Sequence, residues 1–242
     1  SDGSGFLYLE SLGHHIIDLV PGLIGLKGKQ SFFADIAGIR ADVKVDLYIE
    51  STHVCSEQGE LQLTNYGISG IPVFQLSRVA TRALSEQKKV YATLNFVPFW
   101  EKEQCLTYFK ERFKKADEKH IGEALIGFFP EKLIPVLLEE SHIKAAKYAN
   151  RLQTEELESF IDTVQGLRVD ITDWNTFDTA QVTAGGVDTD EIDAETMESK
   201  LCPGLYFAGE MVDIDGICGG YNLQWAWSSG AVAGIHVARE LS

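Results

Sequence analysis

The chain's 242 residues allow one large domain or two to three small ones, and 45% of them are hydrophobic, an ordinary share for a globular protein. Thirty-six acidic against 21 basic residues give a net charge of −15, which argues against nucleic acid as a partner, because phosphate recognition needs clustered Lys and Arg. No apolar run approaches the roughly 18 residues that span a bilayer, and no basic stretch precedes an apolar core at the start, so no membrane partner and a cytoplasmic location are expected.

Four cysteines, Cys55, Cys105, Cys202 and Cys218, form no CxxC pair and no disulfide framework, so they read as reduced thiols, with Cys218 set apart by its place inside the glycine-rich turn. The six histidines are scattered apart from His14 and His15. Neighbours in sequence point apart on a helix or a strand, so no metal site is expected.

In chain order, "SGFLYLESLGHH" reads as a helix ending at Gly13 as its C-cap. "IIDLVPGLIGLKG" reads as extended, with a bend at Pro21 and Gly22. From there to about Val97 the period is two. Val43, Val45, Leu47 and Ile49 share one face, and so do Val90, Ala92, Leu94 and Phe96, the pattern of strands with one buried side. "CSEQGELQL" suggests a hairpin turn at Gln58–Gly59. One helix interrupts the strands, in "IPVFQLSRVATRALSEQ", with Val73, Leu76, Ala80 and Leu84 at helical spacing.

Residues from about Trp100 to Ile161 read as helical throughout. Cys105, Leu106, Phe109 and Phe113 form one stripe, and Thr154 is the expected N-cap of the last helix. Alternation returns with Leu167, Val169 and Ile171 in "LRVDITDW". The helical unit is therefore expected as an insertion between strands of one β-rich domain.

The ending is the most informative part. "GLYFAGE" reads as a short buried parallel strand closing at Gly209. Ligands gather at the carboxyl ends of such strands, which would place Gly209 and Glu210 at a binding edge. Asp213 and Asp215 follow in a turn, where an acid could accept a sugar or ribityl hydroxyl or simply cap the turn. Gly219–Gly220 then precede a proline-free segment to Arg239, with Asn222 as the expected N-cap. A helix amino end carries free N–H donors and a partial positive charge, suited to the electron-rich end of a flavin ring. A tight structural turn before a helix would look the same.

The stretch "AQVTAGGVDTDEIDAETMESKLCPGLYFAGEMVDIDGICGGYNLQWAWSSGAVAG" closely resembles the C-terminal signature of the bacterial HI0933-like flavoprotein family, which includes aminoacetone-oxidase-like enzymes. "GELQLTNYGISGIPVFQLSR" is similar to the family's strand–turn–helix opening an inserted domain, although Ile71 stands between the second turn glycine and Pro72. The opening "SDGSGFLYLESLGHHI" resembles the segment that follows the first half of the FAD domain.

The resemblance implies a mixed α+β and α/β fold. Residues 1–22 and 178–242 would be a partial, Rossmann-like FAD domain. Residues 23–98 and 162–177 would be an inserted antiparallel β-rich domain, and 99–161 its helical subdomain. It also implies an FAD-dependent oxidoreductase of a small-molecule substrate, with NAD(P)H as a candidate electron donor. Thr183, Gly185 and Gly186 would line the isoalloxazine. Gly209, Glu210 and Asp213 would meet the ribityl and phosphate region, and Gly219, Gly220, Tyr221, Asn222 and Gln224 would surround the pyrimidine end of the ring. Tyr66 and Ser69 would lie on the substrate side.

The family's first portion carries GxGxxG on a βαβ unit for the pyrophosphate. Here Gly3-Ser4-Gly5 lacks the third glycine, so the chain reads as the latter part of such a flavoprotein, and weak or absent FAD binding by it alone is expected. The alternative is a non-catalytic binding module left after loss of the FAD half. A fumarate-reductase-type flavoenzyme is disfavoured, because that group's arginine and histidine motifs do not appear. No Ser-His-Asp or Cys-His constellation can be read from the sequence, so no catalytic residue is named, and the oligomeric state is open.

Overall fold

The computed structural model describes residues 3–240, so Ser1 and Asp2 of the opening motif lie outside the described residues. In chain order the elements are α1 (Ser4–Ser11), β1 (Ile16–Gly22), β2 (Leu26–Gly28), α2 (Phe33–Ile36), β3 (Arg40–Ile49), β4 (Thr52–Leu63), β5 (Gly67–Gly70) and α3 (Ile71–Ser85). Then come β6 (Val90–Asn95), α4 (Lys102–Lys114), α5 (Ile121–Leu125), α6 (Leu133–Glu140), α7 (Thr154–Gly166), β7 (Leu167–Trp174), β8 (Val182–Val187) and α8 (Tyr221–Glu240). The chain forms two compact units: Gly25–Asn175, and Ser1–Ile24 together with Thr176–Ser242.

In the Gly25–Asn175 unit, six antiparallel strands close into a barrel of order β2-β5-β4-β3-β6-β7. The alternation seen in sequence is what closes it. Val43, Val45 and Leu47 of β3, Val90, Ala92 and Leu94 of β6, and Leu167, Val169 and Ile171 of β7 are all buried. Their register pairs Val45 with Leu94 and Ala92 with Val169, so each apolar face meets the next. Helix α3 packs against β3, β4, β5, β6 and β7, and its buried Val73, Leu76 and Ala80 complete the core. Ser77 and Thr81 are buried with them. Their hydroxyls donate to Phe74 O at 2.7 Å and Arg78 O at 3.1 Å, so no polar group is stranded.

The helices α4–α7 continue the same core. Cys105, Phe109 and Phe113 of α4 are buried with Phe129 and Phe160, and Phe109 meets Phe160 edge-on at 5.5 Å between ring centres. Residues 100–161 are not continuously helical. Turns follow Lys114 and Leu125, and an irregular stretch leads from Glu140 to a short 3-10 turn at Ala149–Arg151. The N-cap of α7 is Gln153 rather than Thr154, because the Glu156 carboxylate accepts from Gln153 N at 2.8 Å.

The expected hairpin at Gln58–Gly59 is also corrected. β4 runs straight through, with Gly59 opposite Val43, and the chain reverses at Glu50–Ser51. Both turn residues have left-handed backbones, φ 48° and 70°, the geometry of a tight two-residue hairpin. Glu50 is held there because its carboxylate accepts from Lys89 N at 2.7 Å.

In the other unit, β1 and β8 form a two-stranded antiparallel pair with an irregularity between Ile17 and Val20. Pro21 and Gly22 lie within β1, and the left-handed residue is Leu23, φ 49°. Helix α1 ends at Ser11 with Leu12 as its C-cap, and Gly13 follows with φ 94°, as a C-terminal glycine should. The expected strand in "GLYFAGE" is replaced by an extended segment joined to Glu198 by one bridge at Tyr206, then a 3-10 turn at Gly209–Met211. Leu9, Val187, Ile192, Met197, Phe207, Val212 and Ala233 form this unit's core.

Candidate functional site

A cleft of about 400 Å³ opens beside the first turn of α8. It is bordered by Gln181 and Val182 at the start of β8, by Glu210, and by Cys218, Gly219 and Gly220 ahead of the helix. The two glycines have φ 114° and 91°, a left-handed pair that other residues adopt only with strain. A Cβ on Gly220 would meet nothing within 4 Å, so the turn leaves open space in front of α8. Gln224 N already bonds Gly220 O at 2.9 Å, whereas the amides of Tyr221, Asn222 and Leu223 have no hydrogen-bond partner among the described residues. These donors and the amino end of a 20-residue helix give the cleft a site for electron-rich atoms.

The side chains around the cleft are held from within. Asn222 is not the N-cap, because the helix begins at Tyr221. Its amide instead reaches back to Gly216, accepting from Gly216 N at 2.8 Å and donating to Gly216 O at 3.0 Å. That pair pins the 213–220 turn against α8. Gly209 is gripped from the helix: its N–H donates to Ser229 Oγ at 2.8 Å, and its carbonyl accepts from Trp225 Nε1 at 3.0 Å. Glu210 accepts from Thr183 N at 2.8 Å, and Asp213 accepts from Gly185 N at 3.1 Å.

Of the sequence-derived site residues, the cleft therefore brings together Glu210, Gly219, Gly220 and Asn222. Thr183 lies one hydrogen bond behind it through Glu210, whereas Gly185 and Asp213 are bonded to each other and do not line it. Gly185 and Gly186 answer a packing need: a Cβ on Gly185 would stand 2.4 Å from Asp18 O, and one on Gly186 would stand 2.7 Å from Met211 O. Tyr221 is exposed, and Gln224 donates to Ser228 Oγ at 2.9 Å along the helix. Tyr66 and Ser69 belong to the Gly25–Asn175 unit, where Ser69 pairs with Gln62 in the barrel and the Tyr66 hydroxyl occupies the space a Cβ on Gly25 would need. Sequence reasoning missed Leu23, Ile217, Leu223 and Trp225, the apolar lining. Cys218 also lines the cleft, and burial pushes its thiol up, away from the thiolate form at neutral pH.

A second arrangement was invisible in sequence. His14 Nδ1 lies 2.7 Å from Glu191 Oε2, and Nε2 lies 2.9 Å from Ser199 Oγ. The connectivity is that of a hydrolytic triad, but Ser199 is 5% exposed and does not line the cleft beside α8. Its oxygen accepts from Leu201 N and Cys202 N, so its proton goes to His14 Nε2. The three residues form a satisfied structural network. Among the described residues no cluster of His, Cys, Asp or Glu is placed to hold a metal, and no helix is long and apolar enough to cross a membrane.

The sequence profile of the HI0933-like protein Rossmann domain matches residues 1–236. The chain belongs to the HI0933-like family. Among curated proteins, a 3-dehydro-bile acid delta(4,6)-reductase of Clostridium scindens is 44% identical over 234 residues, 97% of this chain and 57% of that protein. Ribosomal RNA dihydrouridine synthases of Escherichia coli and Haemophilus influenzae are 29% and 28% identical, over 93% and 98% of this chain and 54% and 56% of their own lengths. This HI0933-like chain thus spans little more than half the length of the curated relatives it matches.

Proposed function

We propose that the chain forms the flavin-ring side of an FAD-dependent oxidoreductase acting on a small molecule. The observation that carries this is the open cleft before α8, where two left-handed glycines leave unpaired helix amides accessible. A planar, electron-rich ring edge fits that donor set, and the apolar lining from Ile217, Leu223 and Trp225 suits its flat faces. When bound, the flavin would supply two-electron transfer, with NAD(P)H as donor. The chain's own residues would orient it: Gly219 and Gly220 by leaving room, Asn222 and Glu210 by fixing the cleft walls. Thr183, Gly185, Gly186, Gly209 and Asp213 would shape the backbone behind them, with Tyr221 and Gln224 at the rim.

Membership of the HI0933-like family supports a redox role, as do the relatives' names, one a reductase and two named for a dihydro product. Charge supports a small molecule over RNA. The unit holding the cleft carries fourteen acidic side chains against only Lys200 and Arg239, a field that repels polyphosphate. No GxGxxG turn is present to hold a pyrophosphate, so the ADP half of the cofactor would be held by polypeptide equivalent to the rest of the relatives' length.

Titration of the purified chain with riboflavin and with FAD, followed by flavin fluorescence, tests the ring-side reading. Both should bind with similar affinity, weaker than micromolar, and Ala226→Phe, which fills the cleft, should weaken both at least tenfold. FAD binding at or below micromolar concentration that riboflavin cannot match would overturn the division of the cofactor. No quenching by either would overturn the flavin site. In a polypeptide extended to the relatives' length, NAD(P)H-dependent reduction of ribosomal RNA but not of unsaturated ketones would overturn the small-molecule reading.

A further inference from the structure

Strand β4 outruns its neighbour on one side. β3 pairs with it from Thr52 to Gln62, whereas β5 meets it only at Leu61, Gln62 and Leu63. Backbone groups alternate in direction along the strand. Leu63 N donates to Ile39 O on the β3 side, and Thr64 N donates to Gly67 O on the β5 side, each at 2.9 Å. Even-numbered residues therefore turn their N–H and C=O groups towards β5. Where β5 does not reach, the groups of Ser56 and Gln58 have no backbone partner among the described residues. A row of such groups is a template for a further strand.

The usual guards of such an edge are missing. A lysine or a proline ordinarily blunts it. From Thr52 to Leu63 there is no Lys, Arg or Pro. Thr52, His53, Val54, Ser56 and Gln58 are all exposed. The single irregularity of the β3–β4 ladder falls at Val54, close to the turn, and Cys55–Glu60 stays in register with β3.

Length and charge select the occupant. An incoming strand must stop before Leu61, where Gly70 of β5 already stands. The β3–β4 hairpin turns at Glu50–Ser51, so a second copy laid antiparallel about a two-fold axis at Ser56 ends its own strand at that point. The free stretch Thr52–Glu60 is then matched along its whole length. An axis at Glu57 would set that carboxylate against its own copy, and like charges directly opposite are destabilising. With the axis at Ser56, Glu57 stands opposite Cys55, Glu60 comes beside Thr52, and the uncharged Ser56 faces itself. We propose that the free edge of β4 is the interface of a homodimer, in which two copies pair antiparallel about Ser56 and join their barrels through one continuous run of strands. The same patch serves both copies, so the pairing closes at two and does not grow into a filament. It lies wholly within Gly25–Asn175 and holds whether or not the cleft beside α8 takes a flavin.

The test is sedimentation equilibrium of the 242-residue chain, with hydrogen exchange across the same concentrations. The expected result is a reversible dimer in which the Ser56 and Gln58 amides exchange more slowly as the dimer fills. Gln58→Pro removes an N–H that serves the free edge alone, so it should leave the chain's melting unchanged and weaken dimerisation by about tenfold or more. The register is read with a second variant. Glu57→Cys sets a thiol opposite Cys55 of the other copy, in a non-hydrogen-bonded pair with Cα atoms about 4.5 Å apart, within disulfide reach. Diamide, which takes up the two electrons and two protons released, should join Cys55 to the introduced thiol between copies, and adding Cys55→Ser should abolish the link. The link and the exchange data decide the matter if Gln58→Pro fails to fold. A monomer at every concentration, a dimer that leaves the Ser56 and Gln58 amides unprotected, or one that Gln58→Pro leaves intact would overturn the interface. Links joining Cys55 to Cys55, or the introduced thiol to itself, would overturn the pairing about Ser56.

Discussion

His14 Nδ1 and Glu191 Oε2 stand 2.7 Å apart, joining residues 177 positions distant in sequence. Because Ser199 donates to the other ring nitrogen, the proton on Nδ1 belongs to the bond with Glu191. The His14 side chain is fully buried, so Glu191→Ala leaves an N–H without an acceptor in the interior. The expected cost is about 1–3 kcal/mol, read from denaturant melts. Ser199→Ala should destabilise similarly, and a serine-directed fluorophosphonate should leave the wild type unlabelled. Labelling at Ser199 would show a nucleophile where the structure has a brace.

The glycines of the cleft unit divide by what a methyl group would meet. Gly185→Ala drives a Cβ into Asp18 O and also strains a backbone at φ 102°. Overpacking and strain together should cost roughly 3 kcal/mol. Gly220→Ala meets only open space, so the strain alone remains, about 1–2 kcal/mol. Thermal melts of the two variants should therefore separate by several degrees, with Gly185→Ala the lower. Equal melts would mean that the β1–β8 pair yields where it is drawn as tight.

Ser229 links the helix to the turn before the cleft. Its hydroxyl accepts from Gly209 N and donates to Trp225 O at 2.6 Å, and Ser229 is 2% exposed. Ser229→Ala should cost about 1–3 kcal/mol by orphaning the Gly209 amide. Trp225→Phe should cost less, because it removes a donor and leaves a carbonyl that retains a second lone pair. A reversed order in denaturant titrations would argue that Trp225 holds Gly209 and Ser229 merely fills space.

Acid sensitivity should trace in part to Glu156. The Lys147 ammonium, with help from Gln153 N, holds its carboxyl below the ordinary value near 4.5. A lowered folded value means that this contribution is complete above pH 4.5 and is lost as the pH falls through the folded value. Melting temperatures of wild type and Glu156→Gln should therefore differ at pH 6 and converge towards pH 3. A constant gap would mean that Glu156 acts only through its neutral cap geometry.

The barrel was legible because its strands bury one face each. Val43, Val45 and Leu47 alternate with Lys44, Asp46 and Tyr48 so regularly that side-chain direction alone fixes the strand. The turn at Glu50–Ser51 was not legible, because its left-handed pair lacks the Asn or Gly that marks such turns, and a distant Lys89 amide stabilises it. Gly59 misled for the complementary reason. It sits mid-strand where Pro72 packs close, 3.6 Å from where its Cβ would be. At the cleft, Gly219 and Gly220 announced themselves by type, whereas Ile217, Leu223 and Trp225 looked like any apolar residues until the helix phase was known. The His14–Glu191–Ser199 network joins three segments that no local pattern relates.

The closed ring of strands in Gly25–Asn175 has a practical corollary for anyone handling the protein. With β7 bonded back to β2 the ring closes, and the strand edge left over in this half is that of β4 ahead of Leu61, where β5 does not reach. If concentrated samples gel or form fibres, the fault within this half should lie with the Thr52–Glu60 edge of β4, and a proline there should leave a clear solution.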